Sequence, residues 1–438
     1  MSNRFIIEVF YTNIHFSNGG TEKYIKAQMQ EFRESGVSTI LIFPVKAVNR
    51  HFVLWGMQVD DGEITIVSNQ KFCSMLKKLI EGEGEVIGLF IHHLLGIALD
   101  SLKRIIDILS PAPVYMFIHD FYTVCAQMNF LKDGDKYCGG AENNFACKTC
   151  KYGEKSLLNN SKFITFFYSI GLKRLEIVVP SEYVKKEWIK RYKEFEDIVV
   201  VQELQKPFGF YVDNSEIIPH HEKIKIAYIG NPVHQKGWDY WKDFINSEYT
   251  SGYDIYQFGP FGKQKETNGI NNINVSIQRD GEDAMIKALR QYEINAAVLN
   301  SVSPETYSYV YHECLAANVF IITNVNSGNI AAKVIRNKNG YVLNSAADLT
   351  VFLEDREGLL KRINNYRETM SISPEKLITN RDIVDETIKK DLCAIRDGIE
   401  IGNKIDILGF LFSVLYKMKY RSRIRIKYFR KDIADNRR

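Results

Sequence analysis

A chain of 438 residues exceeds the roughly 250 that one hydrophobic core usually supports, so two lobes are expected. With 45% hydrophobic, 12% aromatic and 25% charged residues, the composition excludes disorder, collagen and disulfide scaffolds. The net charge of +4 is unevenly spread: residues 417–438 carry ten Lys or Arg against two Asp, which leaves 47 basic and 51 acidic side chains in the body.

In chain order, residues 5–10, 38–43, 63–67, 86–91, 114–118 and 176–179 form short apolar runs that predict strands, most of them apolar on both faces. Helical patterns lie between them. Ile25, Met29 and Phe32 stand at i, i+4 and i+7, and Ser181 is a suitable N-cap for a helix carrying Val184, Trp188 and Tyr192. Alternation of this kind predicts a parallel sheet wrapped by helices. The pattern weakens over 206–222, where Pro207, Gly209, Pro219 and the pair His220-His221 interrupt it, and a second series of strands follows at 224–229, 253–258, 273–275, 296–299, 319–323 and 341–343. The expected architecture is therefore α/β: one doubly wound domain over 1–206, a second over 222–400 and a tail over 401–438.

Each lobe opens with a strand, a loop containing glycine and a helix: Gly19-Gly20 in the first, and residues 230–237 in the second. Glycine lets phosphate approach the backbone, and a helix N-terminus stabilises its charge. Neither loop has the three spaced glycines of a dinucleotide fingerprint, which disfavours nicotinamide and flavin chemistry. The most informative stretch is residues 303–323, where Glu305 follows a strand and loop and Glu313 lies eight residues on, in a helix expected to begin near Thr306. At 1.5 Å per residue the two carboxylates would stand roughly 12 Å apart, able to hold both ends of a folded nucleotide sugar. The helix start at Thr306, Tyr307 and Ser308 would receive a diphosphate between them. Taken singly, each of these features is as readily a turn, a surface charge or a helix-terminal carboxylate.

Taken together and in order, they resemble the retaining glycosyltransferases of family four (glycosyltransferase group 1), two-lobed enzymes of GT-B fold. Asn18-Gly19-Gly20-Thr21-Glu22 is similar to that family's glycine-rich entry loop, Ile118-His119-Asp120 to its histidine motif, and Val179-Pro180-Ser181-Glu182-Tyr183 to its strand-to-helix junction. Residues 230–237 resemble its diphosphate loop, and Asn326-Ser327-Gly328-Asn329-Ile330 the loop after the next strand. The resemblance implies two Rossmann-like domains facing across a cleft. It implies Glu305, His119 and Lys236 as the catalytic group: Glu305 on donor-sugar hydroxyls, His119 near the reacting carbon and Lys236 on the leaving diphosphate. Glu313 would bind the ribose, and Gly19, Gly20, Asn231, Thr306, Tyr307, Ser308, Ser327 and Gly328 would line the donor site. Leaving-group stabilisation by a lysine and N–H groups needs no catalytic metal. Two positions depart from the family pattern: Asn231 stands where an arginine is usual, and Ser308 where a glycine is common. The diphosphate charge then falls more heavily on Lys236.

Cys125, Cys138, Cys147 and Cys150 follow His119-Asp120 within a glycine-punctuated segment, and Cys147-Lys148-Thr149-Cys150 has the two-residue spacing that suits one tetrahedral ion. They form a candidate structural zinc site; the alternative is four reduced thiols in a loop that packs without metal. Cys73, Cys314 and Cys393 are expected in the core, and His92-His93 is left between a structural and an acceptor-side role. In the tail, Ile405, Leu408, Leu411, Phe412 and Leu415 lead into the basic residues, interleaved with Ile424, Ile426, Tyr428 and Phe429. That pattern suits contact with an anionic membrane surface, and the alternatives are a solvated tail or a helix crossing back onto the first lobe. No segment reaches the roughly 20 apolar residues of a membrane span and no secretory cleavage pattern opens the chain, so the expected location is cytoplasmic, peripheral on the inner membrane face. The expected partners are a nucleotide-diphosphate sugar donor and a glycan or lipid-linked glycan acceptor, with no nucleic acid. Two rival readings are a non-catalytic GT-B subunit partnering another transferase, and a nucleic-acid binder built on the cysteines and the tail.

Overall fold

The computed structural model describes residues 3–15, 19–45, 53–82, 84–142, 144–213, 216–259 and 270–389. The basic tail, Cys393 and Asn18 of the entry loop lie outside the described residues. The chain forms two compact units, one of residues 1–117, 165–177 and 381–438, the other of 118–164 and 178–380.

The strands of the first half are β1 (Arg4–Val9), β2 (Ser38–Val45), β3 (Leu54–Val59), β4 (Thr65–Ser68), β5 (Glu85–Ile91), β6 (Val114–Phe117), β7 (Leu131–Lys132), β8 (Lys136–Tyr137), β9 (Leu175–Val179) and β10 (Val199–Val201). An eight-stranded sheet runs β10-β9-β6-β5-β1-β2-β3-β4. Its centre is parallel, β1 lying between β2 and β5. The expected parallel sheet is thus present, and at one edge β3 pairs antiparallel with both β2 and β4. The link from Val45 to Leu54 is shorter than the dozen or so residues a parallel crossover requires, so the chain must turn back. Helix Gly20–Glu34 packs Ile25 and Met29 against Phe10, Leu41 and Phe43, as the periodicity predicts.

The second half contributes β11 (Gln205–Phe208), β12 (Tyr211–Val212), β13 (Ile224–Ile229), β14 (Tyr253–Phe258), β15 (Asn271–Ile273), β16 (Ala296–Val298), β17 (Phe320–Asn324), β18 (Gly340–Leu343), β19 (Ile372–Ser373) and β20 (Lys376–Thr379). Six of them form a sheet, β15-β14-β13-β16-β17-β18, parallel throughout. Alternation along β13 explains its apolar run over 226–229. Ile226 and Tyr228 join Trp238, Trp241 and Phe244 on one face, while Ala227 and Ile229 join Leu289, Ala297 and Ile321 on the other. Trp241 is fully buried, so Trp241→Ala would cost about 3–5 kcal/mol. The weakly patterned stretch after residue 205 is not plain linker: β11 pairs antiparallel with β20, and β12 with β19.

Candidate functional site

The carboxyl ends of the parallel strands β13, β16 and β17 bring the expected residues of the second unit together. After β13 the chain passes Gly230 and Asn231, makes a tight turn over His234–Lys236 and enters helix Trp238–Ile245 through Gly237. Gly237 is required there: its φ is +75°, and a Cβ would stand 2.0 Å from the Asn300 carbonyl oxygen. The turn is held by the loop after β16, where the Ser301 hydroxyl donates to the Gln235 carbonyl at 2.6 Å and the Val302 N–H donates to the same oxygen at 3.1 Å.

That turn aims Lys236 at Glu305. The Lys236 Nζ donates to Glu305 Oε1 at 2.5 Å, and the Ser301 hydroxyl lies 2.9 Å from the same oxygen. The Lys236 side chain is 43% exposed and that of Glu305 14%, so the lysine side of the pair is in contact with solvent. Glu305 is fixed from its backbone as well: its N–H donates to Ser327 O, and its carbonyl accepts from Asn329 N at 2.9 Å. Gly328, at φ +63°, allows this approach, since a Cβ would meet Pro304 at 2.7 Å. The Ser327 hydroxyl is buried, donating to Ser301 O and accepting from Asn324.

The helix predicted to begin near Thr306 begins at Tyr309 instead, with Ser308 as its N-cap accepting from Tyr311 N at 3.2 Å. Thr306 and Tyr307 precede the helix, so the helical rise does not set the spacing from Glu305 to Glu313. Thr306 links two other landmarks: its hydroxyl donates to the His119 carbonyl at 2.6 Å, and its own carbonyl accepts from the Ser181 hydroxyl at 3.0 Å. Ser181 also caps helix Glu182–Ile189, as expected. Glu313 is 6% exposed, not on a solvated face. Burial and then the charges of Glu282 and Glu313 push the neighbouring Tyr309 hydroxyl well up. Asn231 is exposed, and its carbonyl accepts from the Tyr228 hydroxyl at 2.8 Å. Gly19 and Gly20 lie in the first unit, at the start of helix Gly20–Glu34.

Sequence reasoning missed a cluster behind the helix. The Tyr307 ring stacks on His312, centroids 4.5 Å apart, and His312 Nδ1 donates to Ser308 O at 2.8 Å. His312 Nε2 lies 3.6 Å from Glu203, whose other oxygen accepts from Lys333 at 2.7 Å. Burial pushes the Glu203 carboxyl up, but the hydrogen bond and charge of Lys333 prevail and hold it at about 2. His312 adjoins Glu313 in the sequence, which was the one available signal; Glu203 and Lys333 are distant in the chain.

Cys125, Cys138, Cys147 and Cys150 converge on one cavity of about 20 Å³, lined also by Leu131, Ala146 and Arg191. None of the four is in a disulfide, and burial pushes the thiols of Cys125, Cys138 and Cys147 up. Among the described residues no three His, Cys, Asp or Glu side chains stand in an arrangement that could hold a metal ion. Cys314 is buried in the core and Cys73 half-buried. His92 is wholly buried against Glu8, and His93 accepts from Leu95 N at 2.9 Å.

No protein-family model matches this chain, and no curated protein matches it. Among solved structures, a glycosyltransferase from Rickettsia africae is similar over 84% of this chain and 92% of its own, with a TM-score of 0.51 at 14% identity. The chain has the GT-B fold. Sucrose-phosphate synthase from Thermosynechococcus elongatus is likewise similar, over 88% of this chain and 98% of its own, with a TM-score of 0.50 at 11% identity. At such identities the likeness establishes two Rossmann-like domains and leaves activity to the chemistry of the site.

Proposed function

We propose that the chain is a retaining glycosyltransferase that moves a hexose from a nucleoside-diphosphate sugar to a hydroxyl of a growing surface glycan, of lipopolysaccharide, capsule or exopolysaccharide type and lipid-linked. The observation that carries this reading is the Lys236–Glu305 pair, at the carboxyl ends of parallel strands where doubly wound sheets bind ligands. Transfer breaks the bond from the anomeric carbon to phosphate and forms one to the acceptor oxygen, whose proton leaves. Lys236 neutralises the diphosphate as it departs, Glu305 holds sugar hydroxyls and favours the developing oxocarbenium charge, and Glu313 anchors the ribose. His119 faces the reacting carbon in this reading. The resemblance to family four supplies retention, the hexosyl group and the absence of a catalytic metal. Residues 417–438 would bring the enzyme to the anionic cytoplasmic leaflet. No helix among the described residues is long and apolar enough to cross a membrane.

One observation favours a second reading, a GT-B subunit that binds nucleotide without transfer: the exposed Asn231 adds no charge where the family has arginine. Turnover of a panel of nucleotide sugars, followed by release of nucleoside diphosphate, separates the two. The enzyme reading predicts turnover that disappears in Glu305→Ala and Lys236→Ala. Binding without turnover in the presence of acceptor glycolipid would establish the subunit instead.

A further inference from the structure

The Lys236 turn has a third support, from the cysteine-rich segment. Hairpin β7–β8 turns at Asp133 (φ +56°) and Gly134 (φ +92°), and Asp133 is tied down at both ends. Its carboxylate accepts from Lys151 N at 2.8 Å and its N–H reaches Cys150 Sγ at 3.4 Å. Leu131, at the hairpin's base, is buried with Val302 and Ala346, and Val302 is the residue whose N–H holds Gln235. From the tip of this hairpin the Asp135 carbonyl lies 3.0 Å from His234 Nε2, with the Asp135 carboxylate at 3.5 Å. The other ring nitrogen, Nδ1, lies 2.7 Å from Asp239 Oδ2 in the following helix. His234 is thus the middle of a bridge from the cysteine-rich segment, through the turn, to helix Trp238–Ile245, two residues before Lys236.

We propose that His234 is a positioning residue, which in its doubly protonated form clamps the Lys236 turn between Asp135 and Asp239 and so presents the Lys236 ammonium to the donor diphosphate. Only an imidazolium donates from both nitrogens, and both partners here are acceptors. The groups facing the ring are Asp135 from the hairpin, Asp239 from the helix, whose other oxygen accepts from Lys242 at 2.8 Å, and the Lys236–Glu305 pair beyond the turn. Hydrogen bonding to Asp239 and then to Asp135 raises the His234 pKa above the ordinary histidine value. The clamp is therefore fully present below about pH 6.5 and is lost as pH rises through the raised value. The cysteine-rich segment becomes an arm of the donor site, joined to it through His234 and through Leu131.

The donor role rests on the proposed function, but the clamp itself is tested without any ligand. Hydrogen exchange of the full-length protein, corrected for intrinsic rates, would be followed at amides 234–238 across pH 6 to 9 in wild type, His234→Gln and Asp239→Asn. The wild-type turn is expected to lose protection as pH rises, and both variants to exchange about tenfold faster at pH 6, with the pH step absent in His234→Gln. Protection along β13 and helix Tyr309–Ala316 stays unchanged. Wild-type protection independent of pH, variants that match wild type, or a loss spread over the whole second unit would each overturn the clamp. In parallel, the affinities of UDP, GDP and ADP would be titrated by calorimetry. Weakening of whichever binds in His234→Gln, following the same pH step, supports the donor role. Exchange changes without nucleotide binding would retain the clamp and sink the donor site.

Discussion

Each unit holds a carboxylate beside a nitrogen base, and the two pairs face opposite fates. In the first unit Glu8 and His92 meet at 2.7 Å with both side chains fully buried. Burial pushes the Glu8 carboxyl up and the His92 imidazole down to about 3, so the pair is held uncharged. Glu8 Oε1 is buried without a hydrogen-bond partner among the described residues. In the second unit Lys236 and Glu305 are as close, yet Lys236 keeps nearly half its surface in water and Ser301 supports the carboxylate. The same kind of pair is part of the packing in one place and accessible chemistry in the other. Solvent access, not the presence of acid and base, separates them.

The largest effects are expected at the second pair. Glu305→Gln and Lys236→Ala should each lower turnover by about 100- to 1,000-fold with little change in melting temperature, measured on donor turnover and by calorimetry. His92→Ala should do the reverse: it leaves Glu8 unpaired in a cavity, costs about 2–4 kcal/mol in urea denaturation and spares activity per folded molecule. A smaller effect is expected at the helix cap, where Ser308→Ala should cost about 1 kcal/mol and Ser308→Gly a few tenths, also by urea titration. The Gly variant restores the residue common in the resembling family.

The smallest effect concerns acid stability. The Glu203 carboxyl, held at about 2 against roughly 4.3 when unfolded, contributes stability that is complete above the unfolded value and lost as pH falls toward 2. Melting temperature should therefore fall less steeply between pH 5 and 2.5 in Glu203→Gln than in wild type. Identical slopes would mean the contact with Lys333 contributes nothing in solution.

The fold was largely legible because β1, β2, β5 and the six strands from β13 to β18 are short apolar runs between amphipathic stretches, a pattern that burial on both faces requires. What escaped depended on chain reversal and long-range pairing. β3 is ordinary in composition until its antiparallel place at the sheet edge is known, and β11 and β12 find partners more than a hundred residues on, in β20 and β19. In the site, Lys236, Glu305, Ser181 and His119 were legible as landmarks in order. The links among them were not, because Thr306 to His119 and Ser301 to Glu305 are matters of loop path. The helix start was misplaced for a local reason: Ser308 caps more effectively than Thr306, and its hydroxyl fixes the first turn at Tyr309.

Binding of a nucleoside diphosphate through Lys236 at the carboxyl edge of the second sheet is measured by thermal shift of the full-length protein with UDP, GDP, ADP, TDP and CMP. Ligand that binds only the native state raises the melting temperature, by mass action worth about 2.7 kcal/mol at a hundredfold excess over Kd. A rise is expected with one diphosphate, diminished in Lys236→Ala and in Glu313→Ala. No rise with any of them, or a rise indifferent to both substitutions, would contradict binding through Lys236.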